Sequence, residues 1–450
     1  MKLRHVVFSV SLAASFAANL AAQEAAKPAA RHISLDEAVQ LALKHNHVVR
    51  IAGYKVEEKQ QTKQIARSAY FPILRTDGSV LRVTDSQFIG IPQGALGTVD
   101  GTPIPERSVT LNQGGHTFVI SGTSLTQPLT GLFKIKSAND MAAAELNATR
   151  GKARQTENSV ALRVHQLYYR VLIAQTHREA VKAKILAGDS LNNERLAQVK
   201  FGGSLEEQAI ESRAAALEAN QDLLATELQL SDLTMQLNDA IGLPLSTPLD
   251  LVVTVRQVSE VCEREACVRL ALESHPEIAE ARGEVEKTSA AVRFAKRAYI
   301  PDVEAFARYS YQDNVPFLAR NFGTFGIHLG YDLFDGGRRN AEINEHKTQL
   351  KQAEENLARV KEEVEFRVQS AYNKLERTRQ MIKVSDDLLA LRSESHRVFE
   401  QQVKAGAALA SQEQSAAAHE LEAKTLLLQS QLDYVLAQDE VLEATGQTPQ

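Results

Sequence analysis

The chain lacks most of the features by which a sequence declares its chemistry. After an N-terminal apolar segment, no stretch reaches the ~18 apolar residues of a membrane-spanning helix, so any part that enters a membrane must enter as strands. There are two cysteines in 450 residues, Cys262 and Cys267. With no second ligand pair they make no zinc site. In an oxidising compartment they could form one local disulfide; the alternative is two separately buried thiols at the start of a helix. Basic residues are not in excess, 51 Lys and Arg against 56 Asp and Glu, which leaves no footprint for nucleic acid. No nucleophile, acid and base stand at motif-like spacing, and Gly336-Gly337 lacks the Gly-x-x-x-x-Gly-Lys-Ser/Thr frame of a phosphate loop. His45 and His47 stand two apart on a helix and so face different ways. No enzyme, metal site or cofactor is expected. Proline is absent from Arg338 to Thr448, so no proline interrupts a helix there.

What is present begins with a leader. Lys2 and Arg4, an apolar run from Val6 to Ala18 and small residues to Ala22 read as a secretory signal peptide over residues 1–22. The remainder repeats itself. Ala38 to Leu43 matches Cys267 to Leu272, and Ala69, Tyr70 and Pro72 match Ala298, Tyr299 and Pro301, at an offset of 229. Farther on, Arg163 matches Arg367, Tyr168 matches Tyr372, Gly202 matches Gly406 and Gly242 matches Gly446, at an offset of 204. The mature chain is therefore one unit written twice, 23–258 and 259–446, followed by a polar tail at 447–450. The 25 extra residues of the first copy fall in Gly90–Gly115, whose prolines and glycines read as a loop.

Each copy opens with a helix. Ser34-Leu35-Asp36-Glu37 forms a capping box, with the glutamate reaching back to the serine backbone. The helix breaks near Asn46, and its partner breaks at Pro276. Pro72 and Pro301 end these helices and mark the corners into strands. In the second copy Val303 to Gln312 alternates, and Phe325, Ile327, Leu329 and Tyr331 alternate with Gly326, His328 and Gly330 up to Leu333. That is the period of a strand with one apolar face. Two β-hairpins are expected, 73–129 and 302–334, with strands of bilayer-crossing length. Asp335-Gly336-Gly337 then turns the chain into a long helix. At ~1.5 Å per residue, 347–404 would extend about 85 Å and would bury its apolar stripe as a coiled coil. Gly202-Gly203 and Gly406 stop the long helices, giving a helical hairpin with its tip near 202 in one copy and near 406 in the other. The fold class is mainly α with a membrane β-barrel portion. Four strands are too few to close a barrel, and open edges cannot face hydrocarbon, so several chains must share one barrel.

These features together resemble the outer membrane factor family of TolC-like outer membrane efflux proteins. The matching residues are Ser-Leu-x-Glu-Ala at Ser34, Ala-Tyr-x-Pro at Ala69 and Ala298, Leu-Phe-Asp-Gly-Gly at Leu333–Gly337 and Gln-Val-Lys-x-Gly at Gln198 and Gln402. The resemblance implies a homotrimer in the cell outer membrane with four strands per chain in a twelve-stranded barrel. Phe325, Ile327, Leu329 and Tyr331 would face lipid, and the helices would form a tube in the periplasm. It further implies a passive exit duct for an efflux pump or type I secretion system, with a periplasmic adaptor and an inner-membrane transporter as partners. In such channels the hairpin tips form the entrance, often with an acid six positions after the tip glycine. Here those positions hold Gln208 and Gln412, beside Glu207 and Glu413, which implies an entrance of weak cation affinity. The alternative is a soluble periplasmic coiled-coil adaptor or structural protein, which accounts for the leader and helices but not for four strands placed alike in both copies.

Overall fold

A computed structural model describes residues 31–85, 88–112, 116–200, 206–252, 262–315 and 319–448. The signal peptide and the tip glycines Gly202 and Gly203 lie outside the described residues. In chain order the elements are β1 (Arg31–Ile33), α1 (Leu35–His45), α2 (His47–Ser68), β2 (Ile73–Arg82), β3 (Phe88–Ile91), β4 (Thr98–Val99), β5 (Thr102–Pro103), β6 (Val109–Asn112), β7 (Thr117–Pro128), α3 (Gly131–Lys200), α4 (Glu206–Ile241), β8 (Leu249–Leu251), α5 (Arg264–Ser274), α6 (Pro276–Lys296), β9 (Asp302–Asp313), β10 (Asn321–Gly330), α7 (Arg338–Lys404) and α8 (Ala410–Ala444). Among the described residues no helix is long and apolar enough to cross a membrane. The chain divides into two units. One holds the described residues of Met1–Lys55, Arg150–Glu280 and Ala358–Gln450, the other those of Val56–Thr149 and Ala281–Leu357.

The first unit is helical. Lateral contacts place its long helices in the order α4, α3, α8, α7: Arg163 reaches Gln236, His165 Nδ1 lies 2.6 Å from Asp439, and Ser385 meets Ser430 at 2.8 Å. Ala161, Val164, Leu167, Tyr168, Val171 and Leu172 of α3 form the core with Leu237, Ile241, Leu432 and Val435. A parallel pair, β1 with β8, lies against this core, and the buried Tyr168 hydroxyl sits 3.0 Å from the Ile33 carbonyl and 2.9 Å from that of Val252. Burial pushes the phenol up to about 12, so it stays protonated. Cys262 and Cys267 form a disulfide, Cα–Cα 5.5 Å, at the start of α5.

Local chemistry explains the helix ends. Ser34 caps α1 by accepting from the Glu37 N–H at 3.2 Å. The expected return bond is replaced: Glu37 accepts from Arg31 instead, because strand β1 brings that guanidinium to 3.1 Å. Asn46 closes α1 through its own N–H and opens α2 by accepting from the Val48 N–H at 2.8 Å. In the second copy His275 does the same work. Its N–H bonds the Ala271 carbonyl, its Nδ1 accepts from the Glu277 N–H at 3.2 Å, and Pro276 takes the first helical position, where no N–H is needed. Burial lowers the His275 pKa, which keeps the imidazole neutral and Nδ1 free to accept.

The second unit is built on one antiparallel sheet in the order β10, β9, β7, β2. The segment read as a loop in Gly90–Gly115 departs from expectation. Its alternating β-branched residues pair as β3 with β6 and, nested inside, β4 with β5. The strand expected to run to Leu333 ends at Gly330, opposite Asp302, because β9 begins after Pro301 and has nothing farther back to pair. Tyr331 therefore lies in the corner and is not on the strand.

Tyr168→Phe tests the link between core and β1–β8 pair. It removes the one donor shared by the Ile33 and Val252 carbonyls and should lower the stability of the helical unit by about 1–3 kcal/mol, measured by thermal denaturation of the full chain followed by circular dichroism.

Candidate functional site

The sheet sorts its residues by polarity across its two faces. The register puts Leu74, Thr76, Gly78 and Val80 of β2 on the same face as Val119, Ser121, Thr123 and Leu125 of β7, Val303, Ala305, Ala307 and Tyr309 of β9, and Phe325, Ile327 and Leu329 of β10. No charge occurs among these residues. The opposite face carries Arg75, Asp77, Glu304, Arg308 and His328. There Arg308 crosses strand β7 and pairs with Asp77 at 3.1 Å. It can do so because Gly122 leaves the space: a Cβ at that position would lie within 3 Å of the guanidinium. Phe325 is 88 % exposed, Ile327 70 % and Leu329 65 %. A surface this apolar and this open is the mark of a contact face.

The corners that feed the sheet are held in two ways. After β10, Gly336 and Gly337 take positive φ of 66° and 89°, which glycine adopts without cost. Asp335 accepts from the Gly337 N–H at 3.0 Å and the Arg339 N–H at 3.1 Å, and these two bonds hold its carboxyl below the usual range. Arg339 stacks on Tyr331 at 4.7 Å and donates to the Asp332 carbonyl. The matching corner after β7 has none of this. It is tied sideways instead: Thr130 Oγ1 donates to the Pro301 carbonyl at 2.6 Å and accepts from the Val303 N–H at 2.8 Å. The reason is position. The β7 corner has β9 beside it, whereas β10 is an edge and its corner must hold itself. Arg339 belongs to no motif of its own in the sequence, although its partners Tyr331, Asp332 and Asp335 lie within eight residues of it; the adjacent Asp-Gly-Gly was the signal.

At the second helical tip, α7 ends at Lys404, Gly406 has φ 71°, and the Ala407 N–H reaches back to the Gln402 carbonyl at 2.8 Å, a Schellman closure. Gln412 is engaged locally: its Oε1 accepts from the Leu409 N–H at 3.0 Å, capping α8. Gln208 Oε1 accepts from Arg195 at 3.2 Å. Glu194 of α3 accepts from the backbone N–H and hydroxyl of Ser411. His396 of α7 stands between two carboxylates of α8, with Nδ1 2.5 Å from Glu420 and Nε2 3.3 Å from Glu413. Gly188, Asn192, Ala209 and Ala216 of the first copy correspond to Arg392, His396, Glu413 and Glu420 of the second. The first hairpin thus has small neutral residues where the second has a charged cluster.

Residues 267–447 match the family model described as outer membrane efflux protein. No curated protein sequence matches the chain. Solved structures extend the likeness to the whole fold. A membrane protein from Pseudomonas aeruginosa is similar with a TM-score of 0.74 at 16 % identity, covering 92 % of this chain and 90 % of that one. The CmeC outer membrane channel of Campylobacter jejuni gives 0.73 at 14 %, covering 92 % and 85 %. The outer membrane protein VceC of Vibrio cholerae gives 0.72 at 15 %, covering 92 % and 97 %. The efflux-protein match falls on the second copy, and the fold likeness spans both. The mainly helical chain with its four-stranded sheet therefore has the fold of outer membrane channels.

The His396 cluster carries a pH dependence. Its hydrogen bond to Glu420, then that to Glu413, raise the imidazole above its ordinary value, 6.5. A raised histidine contributes its full stabilisation below that value and loses it as pH climbs through the folded one. Hydrogen exchange in 396–413 should therefore quicken as pH rises past neutrality, beyond the intrinsic base effect, and His396→Asn should abolish that part of the change while leaving the first hairpin as it was.

Proposed function

We propose that the chain is the outer-membrane exit duct of a tripartite efflux pump or type I secretion system, working as a homotrimer that passively conducts substrates from periplasm to exterior. The observation that carries this reading is the sheet. One face has no charge over the strand interiors and exposes Phe325, Ile327 and Leu329; the other holds Arg75, Asp77, Glu304, Arg308 and His328. In a membrane barrel the first face meets lipid and the second meets water. Four strands cannot close on themselves, so three copies would contribute twelve. The match of residues 267–447 to the outer membrane efflux protein model supports the transport role. An adaptor and an inner-membrane transporter would be its partners, and no step in such a role asks the chain for catalysis.

The helical unit is compatible with the same assembly. Its outer helices, α4 and α7, leave apolar stripes uncovered: Ile210, Leu217, Leu224 and Leu228 on one, Met381, Val384 and Leu391 on the other. Both stripes step by heptads, as helices that pack against further helices do. In this reading the sheet corners at Pro72, Pro301 and Asp335–Gly337 mark the passage from membrane to periplasm, and Gly406, Gln412 and Glu413 lie at the entrance with Gln208 of the first hairpin. A soluble adaptor would have no use for an uncharged, exposed strand face of bilayer length.

Recovery in the outer-membrane fraction as a heat-sensitive trimer would support the duct, and release by osmotic shock would count against it. Deletion should raise drug accumulation or abolish export of a secreted protein. Phe325→Arg puts a charge on the lipid face and should cost about 2–4 kcal/mol of barrel stability, read as loss of trimer, while Thr324→Glu on the wet face, opposite Arg308, should be tolerated. Because glutamines replace acids at 208 and 412, millimolar divalent cations should block single-channel current weakly at neutral pH; strong block would overturn that part of the reading.

A further inference from the structure

The opening helices of the two copies, α1 and α5, correspond at the offset of 229, yet their first turns are fastened differently. In the first copy Ile33 stands just before the cap and Ala38 in the first turn beyond it, and both are buried in the core. These are the two positions whose apolar side chains clip a helix start to the chain that enters it. Three further ties hold the same turn. Ser34 accepts from the Glu37 N–H, Ile33 pairs with Leu251, and the Tyr168 hydroxyl donates to the Ile33 carbonyl.

The second copy replaces these ties. Glu263 stands for Ser34 and makes no side-chain cap, and Ala266 stands for Glu37. Among the described residues no strand runs into α5 as β1 runs into α1. Tyr372, the counterpart of Tyr168, lies under the Arg264 guanidinium at 4.9 Å instead. Arg264 also pairs with Glu376 at 3.0 Å, where their counterparts Leu35 and Leu172 contribute to the apolar core. An ion pair this open to solvent holds little. What remains is the clip itself. Ile33 and Ala38 correspond to Cys262 and Cys267, and these two are bonded to each other.

We propose that Cys262 and Cys267 form a maturation site: a thiol–disulfide oxidant must join them before α5 seats on α7, and the bond then does the work that cap and strand do for α1. As the sulfur–sulfur bond forms, the two thiols give up two protons and two electrons. The disulfide of an oxidised dithiol partner accepts them and becomes a dithiol. Burial sets the order of events. Cys267 is fully buried and Cys262 half-buried, so once α5 is seated a partner's sulfur cannot reach the pair for the exchange. The bond therefore forms first. The cysteines are five positions apart, with their Cα atoms 5.5 Å apart in the folded chain, so closing the bond needs only the first turn and no distant segment. The same burial then shields the finished bond from reductants. The site goes beyond the duct reading and does not depend on the trimer or its cargo; it requires only an oxidising compartment.

Hydrogen exchange of the purified full chain, read by mass spectrometry over 264–274 with 35–45 as the internal reference, tests the site. Cys262→Ala leaves the buried Cys267 in place and should quicken exchange in 264–274 at least about tenfold, with 35–45 unchanged. Cys262→Ile with Cys267→Ala, which copies the first helix, should also exchange fast. Adding Glu263→Ser and Ala266→Glu to that pair rebuilds the capping box and should recover most of the protection; loss without recovery would overturn the claim that the bond stands in for a cap. Wild-type chain given dithiothreitol after folding should keep its sulfurs closed to maleimide. Chain refolded in reductant should exchange fast in 264–274 until oxidised glutathione is supplied. Equal exchange in oxidised wild type, Cys262→Ala and the reduced chain would overturn the proposal, and reduction of the folded chain as fast as the unfolded one would overturn the order of events. Where neither Cys262→Ala nor the reduced chain folds, recovery of folded chain on adding oxidised glutathione supports the site, and failure to recover overturns it.

Discussion

A sheet placed in hydrocarbon must satisfy every backbone N–H and C=O within itself, and the sheet of this chain has two strands, β2 and β10, with one side unpaired among the described residues. The other features of the second unit follow from that constraint. Over the strand interiors the charges lie on one face, the face that would meet water in the duct reading. Arg308 crosses β7 over Gly122 to reach Asp77, so these two charges are paired across the sheet. The edge strand carries its own corner clasp of Asp335 and Arg339, and the inner strand relies on its neighbour through Thr130.

The helical unit meets a related problem with side chains. Helices as long as α3 and α7 satisfy their own backbone, so what remains open at the outer members α4 and α7 is apolar side-chain surface. Inside, α3 buries Ala161, Val164, Leu167 and Leu172 in the core with residues of α4 and α8. The breaks between α1 and α2 and between α5 and α6 use different residues for one task. Asn46 and His275 each supply an acceptor to the next helix, and burial keeps the histidine neutral so that it can act as an amide oxygen does.

Much of this was legible because it is local or periodic. The period-two run through Phe325–Leu329, the prolines at 72 and 301, the reversal at Gly406 and the two repeat offsets each leave a mark in a single stretch of chain. What was hidden depends on partners distant in sequence. The β1–β8 pair has three residues on each side and no pattern of its own. Glu37 was expected to cap its helix and is taken by Arg31, and Gln412, read only as an entrance residue, caps α8. Alternation continues through Tyr331 and Leu333, yet pairing stops at Gly330, because a strand ends where its partner ends and not where its pattern does. The hairpins within Gly90–Gly115 were masked by the glycines and prolines of their turns.

The blurred match between Pro128–Gly131 and Asp332–Asp335 follows from the same constraint. Two copies of one unit joined in a single chain do not occupy equivalent surroundings within it. Inside the chain the first copy's second strand has a neighbour at once, so selection on its corner could settle on Thr130, which bonds that neighbour. The second copy's second strand must form its corner alone, so only a self-contained clasp, with two positive-φ glycines and an aspartate taking two backbone N–H groups, can hold it. The divergence of the two corners is therefore what a duplicated unit should accumulate when one copy's strand has a neighbour inside the chain and the other's lies at an edge.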